Sequence, residues 1–144
     1  MASVFDVAKY VLEKQGPMST WKLQKLCFYS QAWSVAWTEE SIFPEEFQAW
    51  ANGPVCPELF REHQGRFVIN EKDLSKGDSE NLTDDQKETV DIVLRDYGLM
   101  EPYELRELSH KEAPWKDARE GLSEDARGQI VITPEAMGAY YGSL

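Results

Sequence analysis

Residues 22–57 read KLQKLCFYSQAWSVAWTEESIFPEEFQAWANGPVCP, and this stretch decides the fold. Leu23, Leu26, Ser30, Trp33 and Trp37 recur at alternating three- and four-residue steps, which predicts a helix from Trp21 to Trp37 opened by Ser19 or Thr20. Trp21, Phe28, Ala32 and Val35 place apolar groups on its other faces. A helix apolar around its circumference belongs at the centre of a core. Phe28, Tyr29, Trp33 and Trp37 are therefore read first as packing residues. Beyond it, Ile42-Phe43 and Phe47–Trp50 read as short extended pieces. Phe47, Ala49 and Ala51 alternate with Gln48, Trp50 and Asn52, so the second piece has two differently used faces. Its strand is expected at a sheet edge, which leaves Trp50 more open than the other tryptophans. Asn52-Gly53-Pro54 forces a turn, because glycine accepts positive φ and proline fixes its own. Pro57 then opens a short helix through Glu62.

Working outward, Ser3 with Asp6 caps a first helix whose inner face carries Val4, Ala8, Val11 and Leu12, and Gly16-Pro17 ends it. Phe67-Val68-Ile69 is a candidate strand, and 71–81 a polar loop. Thr83 and Gln86 form a capping box for a helix with Val90, Val93, Leu94 and Tyr97 inward, stopping at Gly98. Pro102 opens another through about His110, with Leu105 and Leu108 inward; Pro114–Arg119 adds a turn or two, ended by Gly121. Ile130-Val131-Ile132 reads as a strand, and Thr133-Pro134 starts a last helix. The expected fold is mainly α with a small β element (α+β), a compact single domain over residues 1–144.

The 144 residues are 42% hydrophobic and 12% aromatic, enough for a core without disulfides or metals. No apolar run is long enough to span a bilayer, and the N-terminus lacks the pattern of a secretory signal. Cys27 and Cys56 read as buried thiols of a cytoplasmic protein. The net charge is −11, with −2 in residues 1–70 and −9 in residues 71–144. Such a field repels phosphate backbones and favours a basic protein partner.

Residues that carry chemistry are few. Cys27, Cys56, His63 and His110 lack paired ligand spacing, so no metal and no cofactor is expected. Neither a GxxxxGK[ST] nor a GxGxxG element is present. A Cys–His hydrolase would use Cys56, favoured as thiolate by a helix start, with His110 and Glu112. A helix-turn-helix regulator would turn at Gly16 and present Lys22, Gln24 and Lys25 outward. The charge and the apolar turns that follow weigh against the second; for the first, Cys27 is inert mid-helix packing and no catalytic constellation stands out around Cys56, so no enzyme is expected.

Three motifs occur in order: LQKL with Trp33, FQAWANGPVCPEL, and LSHKEAPW. Together they resemble the Panacea domain, or SocA-like antitoxin domain, of bacteria and their phages. The residues that carry the resemblance are Leu23, Lys25, Leu26, Trp33, Phe47, Ala49, Trp50, Gly53, Pro54, Val55, Ser109, His110, Pro114 and Trp115. It runs from the first helix to the last; Cys27 and Phe28 depart from the usual aliphatic and tyrosine positions, and Cys56 interrupts the GPV-x-P run. The resemblance implies an antitoxin that neutralises a cognate, usually neighbour-encoded toxin by direct contact, or in some members an adaptor that delivers the toxin to a protease.

Ser109-His110 is expected to tie a helix end to neighbouring chain, and Trp115 to cover the core edge. As partner-binding residues the sequence offers Trp50 with Asn52, Gly53 and Pro54 as an anchor, Trp115 second, and Asp84, Asp85 and Glu88 as acidic steering groups.

Overall fold

A computed structural model describes residues 1–123 and 125–144. Its framework is one central helix, α2 (Thr20–Thr38), wrapped by the others. Every residue from Leu23 to Ala32 is buried, as the apolar circumference requires. Helix α1 (Val4–Gln15) packs on α2, capped reciprocally by Ser3 and Asp6. Asp6 also accepts from the backbone N–H of Asp78 at 2.7 Å, pinning a distant loop to the cap. Helix α4 (Asp84–Tyr97), opened by the Thr83–Gln86 capping box, packs on α1 and α2, and α7 (Pro134–Tyr141), capped by Thr133, lies along α2. Between them α3 (Pro57–His63), α5 (Pro102–Lys111) and α6 (Ala113–Ala118) are short segments, each with proline in its first turn.

The β element is small. Strand β1 (Met18–Ser19) pairs antiparallel with β4 (Val68–Ile69), Met18 opposite Ile69. A second sheet has the order β3-β2-β5, from β2 (Phe47–Trp50), β3 (Gly53–Val55) and β5 (Val131–Ile132). Ala49 faces Pro54 and Phe47 faces Ile132. The architecture is thus α+β and mainly helical, as the sequence implies.

Several local expectations need correction. Strand β2 lies in the middle of its sheet, because β5 returns from far along the chain to flank it; at Trp50 itself only β3 is in register. Ile42 and Phe43 are buried but form no strand. The Gln31 side chain stands in for a neighbouring strand: its Oε1 accepts from the Ile42 N–H at 2.8 Å and its Nε2 donates to the Phe43 carbonyl at 2.8 Å. Strand β1 has no counterpart in the sequence reading, being two residues with no periodicity of their own. The 71–81 loop contains two one-turn 3-10 segments, Glu71–Asp73 and Ser79–Asn81, each opened by an Asx cap. The α2 stripe emerges from the core at its end, where Trp33 is half-buried and Trp37 48% exposed.

Among the described residues, no helix is long and apolar enough to cross a membrane.

Candidate functional site

The three motifs of the sequence converge on the hairpin of β2 and β3. Its two-residue loop, Ala51-Asn52, joins Trp50 to Gly53. Gly53 adopts φ +116°, open to glycine and costly for any residue with a Cβ. A Cβ here would also lie 2.5 Å from Lys25 Cε and 3.1 Å from Ser109 Oγ. The glycine therefore lets the hairpin main chain close over a lysine of α2 and a serine of α5.

Lys25 is 1% exposed. Its ammonium donates to the Pro54 carbonyl at 3.3 Å and sits 5.3 Å from the centroid of the Trp21 ring. Among the described residues no carboxylate pairs with it. Burial, reinforced by the Arg106 guanidinium, brings its pKa down to about 7. Neighbouring Gln24 is also fully buried; its Oε1 accepts from the Cys56 N–H at 2.8 Å, and its Nε2 lies 2.9 Å from His63 Nε2. Two of the three outward residues of a recognition helix thus face the core. They cannot reach a DNA groove, which removes the helix-turn-helix reading of this segment.

On the far side of the hairpin, Trp115 is 7% exposed and donates its indole N–H to the Trp50 carbonyl at 2.8 Å. The His110 ring stacks on it at 3.8 Å and 6°, and the Arg119 guanidinium carbon lies 5.2 Å from its centroid. Arg119, buried, donates to the carbonyls of Ala49, Ser123 and Ala126. It binds Ser123 and Ala126 to β2, a role that the sequence alone did not reveal. Ser109 Oγ donates to the Arg106 carbonyl of its own helix. The Ser-His pair therefore does not tie the helix end to another segment by hydrogen bonds; stacking on Trp115 holds His110. Burial and the nearby Arg106 push the His110 imidazole down to about 4, and its buried Nε2 meets no protein partner among the described residues.

The hydrolase constellation is not assembled. Burial outweighs the helix-start amides at Cys56 and pushes its thiol up to about 12; Cys27 is likewise raised by burial. Glu112 accepts from the hydroxyls of Tyr29 at 2.6 Å and Tyr141 at 2.8 Å, as a buried carboxylate needs. It braces α2 against α7 and is occupied there. No group of three or more metal-ligating side chains occurs among the described residues.

Two adjoining cavities open around the hairpin tip. One, about 240 Å³, is lined by Trp21, Trp50, Ala51, Asn52 and the Arg127–Gln129 segment. The other, about 190 Å³, is lined by Trp21, Lys25, Asn52, Pro102, Tyr103 and Arg106. They share Trp21 and Asn52 as lining residues, and are together termed the hairpin-tip cleft. Trp50 leans on Phe60 with centroids 5.1 Å apart, and its indole N–H donates to Gln48 Oε1 at 2.9 Å. Of the residues singled out for partner contact, Trp50 and Asn52 line the cleft, while Gly53 and Pro54 are buried beside it. Trp115 lies underneath as a support. Asp84, Asp85 and Glu88 are exposed on the first turns of α4, outside the cleft lining. Trp21, Arg106 and Arg127 were missed; an aromatic residue just inside a helix start and scattered arginines carry no pattern until the chain folds.

A family model described as "Antitoxin SocA-like, Panacea domain" matches residues 23–116. The match begins inside α2 and ends within α6, so α1, β5 and α7 lie beyond it, a narrower span than the first-to-last-helix resemblance. No curated protein and no solved structure matches the chain.

Proposed function

Because the chain belongs to the SocA-like antitoxin, Panacea-domain family, we propose that it is an antitoxin, cytoplasmic and non-enzymatic, that neutralises a cognate toxin by direct contact. The observation that supports this most is the hairpin-tip cleft. It is concave, walled by two tryptophans, and held in shape by Trp115 and Arg119 from below. A braced hollow with aromatic walls and a polar rim suits an interface anchor. Trp50 and Asn52 contact the toxin, Gly53 and Pro54 shape the contact, and Asp84, Asp85 and Glu88 steer a basic partner towards it.

The test is co-expression with the toxin encoded beside this chain, followed by co-purification and intact-mass measurement. Growth rescue with a stable complex and an unmodified toxin is expected. Rescue without a complex, or with a covalently altered toxin, would overturn the proposal.

A further inference from the structure

The ionisable groups of the cleft run against the charge of the rest of the molecule. The chain bears −11 overall, yet the groups around the hairpin tip are basic: Lys25 on α2, Arg106 on α5 and Arg127 in the segment before β5. Arg106 bonds its neighbour Glu107 at 2.9 Å and Asn52 Oδ1 at 3.3 Å. Among the described residues, neither Lys25 nor Arg127 makes an ion pair. Burying an ammonium without a counter-charge is costly. As the ammonium, Lys25 has three donors and spends one of them on the Pro54 carbonyl. Replacement by a neutral apolar side chain would remove the cost, so an expensive amine buried just beneath a cleft that its own side chain lines points to a ligand.

We propose that this cleft seats a carboxylate of the toxin: an acidic side chain enters between Trp21 and Tyr103, and pairs with Lys25 and Arg106. The inference rests on the antitoxin reading above and specifies the chemistry of its contact. A carboxylate suits the site better than a phosphate. Two oxygens match the unspent donors of Lys25 and those of Arg106 not engaged by Asn52 and Glu107. A single negative charge is also repelled least by the acidic surface it must cross. The partner is then basic in its body, where it meets the acidic surface, and acidic at one residue, where it meets the cleft. Such a reversed central pair sets register and excludes other partners.

The other titratable groups facing the amine are Arg106 and His110 from α5 and His63 from α3; the hairpin presents none. With its pKa near 7, Lys25 is largely neutral at pH 8 in the free protein. A carboxylate paired with it favours the ammonium, so forming the complex takes up a proton.

Calorimetry of the antitoxin with its toxin at pH 8, in buffers of different ionisation enthalpy, reads this uptake. Most of one proton is expected for the wild type and none for Lys25→Met. Lys25→Met and Arg106→Gln should each weaken the complex about thirtyfold or more, while Lys25→Met melts no lower than wild type. Wild-type affinity and unchanged proton uptake in Lys25→Met would overturn the carboxylate contact and leave the antitoxin reading standing. Absence of any complex with the wild type would overturn both. A separate arm uses the free protein: at equal ionic strength, acetate should raise its melting temperature over chloride, and Lys25→Met should lose the effect. A larger response to inorganic phosphate than to acetate would overturn the choice of a carboxylate.

Discussion

The indole N–H of Trp115 donates to the main-chain carbonyl of Trp50 at 2.8 Å, so the Pro-Trp motif of α6 closes on the backbone of the hairpin and not on its tryptophan side chain. The two tryptophans therefore do separable work. Trp115 is buried support; Trp50 is half-buried and lines the cleft. Trp115→Phe keeps an aromatic ring beside His110 but removes the donor together with part of the buried indole. It should cost at least about 1–2 kcal/mol, the usual penalty for an abandoned buried acceptor, with the lost packing adding to it. Urea unfolding monitored by circular dichroism measures it, and an unchanged midpoint would show that the bond contributes nothing.

Trp50→Ala should have the opposite profile. The carbonyl bonded by Trp115 remains, so the free protein stays folded with a modest loss from the Phe60 contact. Toxin affinity should fall about thirtyfold or more, as for a central aromatic anchor. Unfolding of the free variant would instead assign Trp50 to the core.

Gly53→Val should destabilise the fold by on the order of 1–3 kcal/mol, from the positive φ alone. The new Cβ would also meet Lys25 Cε at 2.5 Å. Combining Gly53→Val with Lys25→Ala should recover the steric part and leave the φ strain, giving a measurable coupling in a double-mutant cycle. Additive losses would mean that the lysine stem does not touch the hairpin.

Lys25 should leave a signature in the pH dependence of stability. Its pKa is lowered to about 7 in the fold, against 10.5 for the free side chain. Between these values the unfolded chain holds a proton that the folded chain has released, so stability rises with pH through that window. Below pH 7 the folded protein bears the full cost of the buried ammonium, on the order of several kcal/mol. Lys25→Met should thus be the more stable protein at neutral pH, with a flatter profile from pH 7 to 10. Parallel profiles for the two proteins would show that Lys25 is not desolvated in solution.

Both thiols should resist alkylation. Cys27 and Cys56 are fully buried, and burial raises both pKa values, Cys56 to about 12. Iodoacetamide at pH 8 should label neither in the native protein and both in denaturant, as read by intact mass. Rapid native labelling of Cys56 would bring a nucleophilic role back into question.

The chain announces its elements through signals that act within a turn or two. Ser3 with Asp6, Thr83 with Gln86, and the prolines at 57, 102 and 134 mark helix starts, because caps and proline geometry involve only near neighbours. Gly53 marks its turn for the same reason, and the apolar circumference of α2 identifies the core helix. Tertiary structure decided the rest. That Gln24 and Lys25 face inward, that Gln31 replaces a strand for Ile42 and Phe43, and that β2 takes the centre of its sheet were not legible in the pattern. Each depends on a partner far along the chain: Lys25 meets Pro54 29 residues on, and Tyr29 meets Glu112 83 residues on. On a helix apolar all round, periodicity cannot say where a polar residue points. That direction is set by whichever distant backbone or side-chain group arrives to satisfy it, since a buried donor or acceptor is tolerated only where its partner is.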